Sequence, residues 1–163
     1  MDAADIIFFA EKFDHNQQGT YFTLPFIVDP NAESIHIKYE YQRFGFEQKF
    51  GDHSEASLEP EINIIDLGLL SPDGEQVGAS GSNKTEITVS EAFATPGYTP
   101  SIIKPGEWKI LVGAYKIHLQ GVKVNYVVTI AYKQRRLLKG DLHTHTFASD
   151  GVHSVEELAW KAK

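Results

Sequence analysis

Cysteine is absent from the 163 residues, which excludes disulfides and thiolate metal sites. A chain without thiol chemistry fits a reducing compartment. Long apolar runs are missing too. No stretch approaches the roughly 20 residues that cross a bilayer as a helix, so no membrane partner is expected. The N-terminal patch Ile6 to Ala10 is short and flanked by acidic residues, with no basic segment ahead of it. It makes a poor signal peptide, and cytoplasmic residence is the resulting expectation. A basic excess is also lacking. The formal charge of −7 opposes non-specific nucleic-acid binding, which needs a basic face against phosphates. What remains is an ordinary globular composition, 42% hydrophobic and 23% charged, sufficient to bury a core without cross-links.

Helical periodicity is scarce before residue 150, whereas alternation recurs. Residues 1–18 are ambiguous between a short helix and a first strand. Residues 20–28 alternate, with Phe22, Leu24, Phe26 and Val28 on one face. Pro25 cannot donate to a ladder, so this strand belongs at an edge or a bulge. Residues 34–42 alternate most clearly, Ile35, Ile37, Tyr39 and Tyr41 opposing His36, Lys38 and Glu40. Residues 43–60 have no period and read as a long loop. Residues 62–70 are nearly continuous apolar, as in a strand buried on both faces. Ser71-Pro72-Asp73-Gly74 has turn chemistry. Residues 78–83 read as a flexible loop, 85–89 as a short strand, and 96–106 as a structured loop rich in proline and glycine. Residues 108–115 and 122–132 are two further strands. About seven short strands with turns between them predict a mainly β fold, an antiparallel β-sandwich or jelly roll. The basic tetrad 133–136 breaks the pattern. It divides an N-terminal β-sandwich accessory domain, 1–136, from a second segment, 137–163.

That second segment holds three of the seven histidines. If Asp141, His143 and His145 lie on a strand, all three share one face, with neighbours roughly 7 Å apart along it. Neutral imidazole suits zinc, manganese or iron. Asp141 could ligate directly or orient an imidazole. Asp150 follows five residues after His145 and precedes Gly151, whose backbone permits a sharp return toward the histidines. Ser154 and Glu157 then form a capping box. Val155, Leu158, Ala159 and Ala162 form an apolar stripe behind it. Strand, polar loop and helix start together make an opening βα unit, with ligands expected near the strand's carboxyl end.

The run DLHTHTFASDGVHSVEELA resembles the first motif of the polymerase-and-histidinol-phosphatase (PHP) metal-dependent phosphoesterases, D-L-H-x-H-T-x-x-S-D-G. The upstream segments NIIDLGLLSPDG, ATPGYTPSIIKPGEWKILVGAY and NYVVTIAY resemble the β-sandwich that precedes the PHP barrel in one subgroup. The resemblance implies an irregular β/α barrel beginning at residue 137, with His143, His145 and Asp150 as metal ligands. It also implies divalent zinc, manganese or iron as cofactor and a phosphate ester as substrate. The family draws further ligands from later strands, and these residues are not among the 163. The chain is therefore expected to be a truncated piece of a larger enzyme, inactive alone, with the rest of the barrel as its missing partner. A helix of this length is also below the ~12–15 residues at which isolated helices become marginal.

A different class of function competes with this one. Exposed aromatics on a sandwich can stack on sugar rings, so Tyr21, Phe44, Phe46, Phe50, Tyr98, Trp108 and Tyr115 could serve a free-standing binding module for carbohydrate or protein. Packing is the plainer role for such side chains. Asp66, Asp73 and Glu75 could hold a structural calcium, though they match no recognised loop. His15, His36, His53 and His118 lack partners at ligand spacing, and His153 reads as a solvated loop residue.

Overall fold

The computed structural model describes residues 4–45, 60–134 and 145–161. The chain divides into two compact units, Met1–Lys133 and Gln134–Lys163. The first contains eight strands among its described residues: β1 (Ala4–Phe13), β2 (Thr20–Val28), β3 (Ala32–Tyr41), β4 (Ile64–Leu70), β5 (Gln76–Ser80), β6 (Glu86–Ser90), β7 (Gly106–Lys116) and β8 (Val122–Tyr132). They form two four-stranded antiparallel sheets, ordered β1-β8-β3-β6 and β2-β7-β4-β5. Among the described strands, only the β4–β5 connection stays within one sheet; every other passes from one sheet to the other.

The alternation seen in the sequence explains the layering. Ile35, Ile37, Tyr39, Val124, Tyr126, Val128 and Ile130 from one sheet meet Ile65, Leu67, Leu69, Trp108, Ile110 and Val112 from the other, all buried. Their apolar area, removed from water at about 25 cal/mol per Å2, drives the two sheets together. Polar groups inside are mostly paired. The Trp108 indole donates to the Lys104 carbonyl at 2.8 Å. The β4 ladder slips between Ile64 and Ile65, which would strand backbone groups in the interior. Two tyrosines from the facing sheet satisfy them: Tyr39 donates to the Ile65 carbonyl at 2.9 Å, and the Ile65 amide donates to the Tyr41 hydroxyl at 3.1 Å. Tyr126, stacked on Tyr39 with ring centroids 5.7 Å apart, is the contrast. Its buried hydroxyl has no partner among the described residues.

Residues 1–18, undecided from sequence, supply β1, and its pairing with β8 resolves the ambiguity. β2 lies at a sheet edge, where Pro25 interrupts no second ladder. Two expectations need correction. The segment 78–83 is not simply a loop, because β5 runs through residue 80. Its small residues have a steric cause: a Cβ on Gly78 would lie 2.5 Å from the Tyr98 Cα and the Gly97 carbonyl. Strand β4 is not buried on both faces throughout, since Asp66 points outward and is partly exposed. Of the expected loop 43–60, residues 46–59, with Phe46, Phe50 and His53, lie outside the described residues.

In the second unit the described helix is α1 (Val155–Lys161), with Glu156 and Glu157 in its first turn. The described residues form no barrel.

Candidate metal-binding segment

Residues 145–154 turn tightly on themselves. The Gly151 amide donates to the Thr146 carbonyl at 3.0 Å, the Ser149 amide to the same carbonyl at 2.9 Å, and the Phe147 amide to the His153 carbonyl at 3.1 Å. The Ala148 amide donates to the Thr146 hydroxyl at 3.3 Å. This ring of bonds folds the chain back and brings Asp150 Oδ1 against His145 Nδ1. Gly151 is required here for a reason the sequence did not disclose. Its φ is not among the positive ones, so conformational freedom is not the issue. A side chain at this position would instead run into the His145 carbonyl.

The capping box closes the segment as its spacing implies. The Ser154 amide donates to Glu157 Oε2 at 2.8 Å, and the Glu157 amide donates to the Ser154 hydroxyl at 3.1 Å. Two orphan donors of the first turn are thereby satisfied. His153 Nδ1 lies 3.6 Å from Glu157 Oε2, so the same carboxylate also faces an imidazole. The His145 and Asp150 side chains are 46% and 80% exposed. His143 and Asp141 lie outside the described residues. Among the described residues, no group of three or more histidine, aspartate or glutamate side chains converges at metal-binding distances.

The remaining candidates separate. Asp73 accepts from the Lys104 ammonium at 2.5 Å, whereas Asp66 is hydrogen-bonded by the Ser82 backbone. Asp73 and Asp66 therefore face different partners, while Glu75 acts on the same Lys104 as Asp73. His15 Nδ1 lies 2.6 Å from the Ile117 carbonyl, and His36 faces Glu86 at 3.5 Å; both are accounted for locally. Of the aromatic set, Trp108 and Tyr98 are buried, Phe44 lies under the Arg43 guanidinium at 5.3 Å, and Tyr21 and Tyr115 are exposed. Comparison with models of known protein families and with curated proteins finds no match.

Proposed function

We propose that the chain is the N-terminal part of a PHP-type phosphoesterase, an accessory sandwich followed by the first metal-ligating motif of the hydrolytic domain. The strand order β1-β8-β3-β6 over β2-β7-β4-β5 supports reading the sandwich as a jelly roll, two interlocked Greek keys. The observation that carries the enzymatic reading is the closure of residues 145–151, which sets the Asp150 carboxylate against the His145 imidazole. These are the two described residues of the run DLHTHTFASDG that the motif makes ligands. Their chemistry fits a divalent cation: a neutral nitrogen donor beside an anionic oxygen donor, both accessible.

A bound divalent metal would supply Lewis acidity toward a phosphoryl oxygen and lower the pKa of a coordinated water. The chain's own share is positional. The Thr146 carbonyl, accepting from two amides, fixes the distance between the two ligands. The Ser154–Glu157 box anchors the helix start, so the turn does not unravel from its far end. His143, Zn, Mn or Fe preference, and the phosphate-ester substrate remain part of the proposal, as do the further ligands a complete hydrolytic centre requires.

The test is expression of the reading frame through and beyond residue 163, followed by turnover of an aryl phosphate with added Mn2+ or Zn2+. Hydrolysis that is abolished by His143→Ala and His145→Ala is the expected result. A frame that ends at Lys163, or turnover indifferent to both substitutions, refutes the proposal.

A further inference from the structure

The outer face of the β2-β7-β4-β5 sheet carries a groove that the metal segment does not use. Three residues stand in register across it. Tyr21 on β2 opposes Gly113 on β7, and Gly113 opposes Asp66 on β4. The absent side chain at Gly113 is what makes the row possible. A Cβ there would sit 3.2 Å from Tyr21 Cε1 and 3.1 Å from Asp66 Cβ, so the tyrosine ring occupies the space over the glycine. Tyr21 is nonetheless 75% exposed and Tyr115, one step along the same face of β7, is 70% exposed. Gly68 continues the low floor beyond Asp66, where a Cβ would lie 3.1 Å from that of Leu111. Two adjoining depressions of about 510 and 270 Å3 share Tyr21, Asp66 and Gly113, one reaching Gln76 and the other Tyr115. Together they run across the strands.

We infer that this groove binds a neutral carbohydrate chain, with Tyr21 and Tyr115 as stacking platforms and Asp66 and Gln76 as hydroxyl partners. The chemistry of the lining selects this class. Among the described residues no lysine or arginine lines either depression, which disfavours phosphorylated or carboxylated ligands. A purely apolar ligand would desolvate the Asp66 carboxylate further and offer it no hydrogen bond beyond that of the Ser82 backbone. A pyranose presents both faces needed, C–H groups for the tyrosine rings and vicinal hydroxyls for a carboxylate acceptor and an amide. The elongated, open-ended shape suits a polymer better than a point charge, although tyrosines around a carboxylate can also attract an organic cation. Burial already raises the Asp66 pKa, against the Ser82 backbone hydrogen bond that lowers it. The fold thus keeps a carboxylate at a position where it is costly, as binding sites commonly do.

The experiment is affinity gel electrophoresis of the full chain through soluble neutral polysaccharides: β-glucan, xylan, galactomannan and amylose. Retardation by at least one polymer is expected, weakened tenfold or more by Tyr21→Ala and by Asp66→Asn. Phe8→Ala, an exposed residue on the other sheet, should leave it unchanged. Melting curves certify each variant as folded, and Tyr115→Ala replaces Tyr21→Ala if the latter melts early. No retardation by any polymer overturns the inference. So does retardation indifferent to the Tyr21 and Asp66 changes, or reduced equally by Phe8→Ala. Calorimetric binding of choline, lost in Asp66→Asn and without polymer retardation, overturns it in favour of a cationic ligand.

Discussion

Replacing Tyr126 by Phe should stabilise the sandwich. Tyr126 is completely buried in the centre of β8, and its hydroxyl finds no partner among the described residues. An unsatisfied buried hydroxyl forfeits its bonds to water, a penalty of about 1–3 kcal/mol. Burial, with Tyr39 and Tyr41 alongside, pushes the Tyr126 pKa well above the ordinary tyrosine value, so the group is a neutral phenol throughout the working range. Phenylalanine keeps the ring and its near-parallel stack on Tyr39, whose planes differ by 8°, and removes only the oxygen. The void left is small, which trims the gain to about 1 kcal/mol. For a domain of this size that is a rise of about 3–5 °C in melting temperature. Tyr39→Phe is the natural comparison. Its hydroxyl donates to the Ile65 carbonyl at the β4 bulge, so the same chemical change should destabilise by about 1–2 kcal/mol. Both are measured by urea titration followed by far-UV circular dichroism, with equal m values as the check that only stability changed. A loss of stability in Tyr126→Phe approaching that of Tyr39→Phe would refute the reasoning. It would mean that the hydroxyl has a partner beyond the described residues.

Gly78→Ala should destabilise by about 2–3 kcal/mol, because the new methyl meets backbone at Gly97 and Tyr98 rather than a yielding side chain; thermal denaturation measures it, and a shift below about 1 kcal/mol would count against the close packing. For Asp66 the folded-state pKa is raised above its ordinary 3.8, so the fold binds that proton more tightly than the unfolded chain does. Its contribution is fully present below pH 3.8 and is lost as the pH climbs through the folded value. Asp66→Asn should therefore raise the melting temperature at pH 7 by more than at pH 4, and a gain independent of pH would contradict the burial argument. Ser154→Ala removes half of the capping box and should weaken α1 by about 1 kcal/mol. Amide exchange at residues 156–158 should then quicken, while exchange in β8 stays unchanged.

Strand placement was legible where core-facing apolar residues alternate with mostly polar ones; β1 escaped because its outward Ile6 and Phe8 are apolar too. β2 and β8 coincide with the alternating runs at 20–28 and 122–132, because inward Phe26, Val28, Val124 and Val128 alternate with polar or edge residues. β5 was hidden because its residues are chosen for space rather than for burial. Gly78 and its small neighbours yield room to Tyr98, a residue some 20 positions away, and no local period can report that. Asp66 and Tyr21 were each singled out, but in separate roles; their juxtaposition was hidden because Tyr21, Gly113 and Asp66 come from three different strands. In the second unit the capping box was legible because it is a contact between residues three apart. Gly151 was singled out correctly but for the wrong physical reason, since the close approach of the His145 carbonyl is a feature of the closed turn alone.

The order in which strands are paired has a consequence in time. Among the described strands, β8 is the sole neighbour of β1 and holds β3 on its other side, and β7 likewise joins β2 to β4. Both are the last strands of the sandwich to be synthesised. Until residue 106 is made, one sheet consists of a lone β2 and the β4–β5 hairpin. Until residue 122 is made, the other consists of a lone β1 and the β3–β6 pair. Until then each sheet lacks the strand that joins its two parts, so a chain emerging from the ribosome must carry exposed Ile, Val and Phe strands for most of its synthesis. Folding should then arrive late, cooperatively and slowly, as dominance of long-range pairings dictates, and the nascent chain should depend on chaperones more than the finished one does.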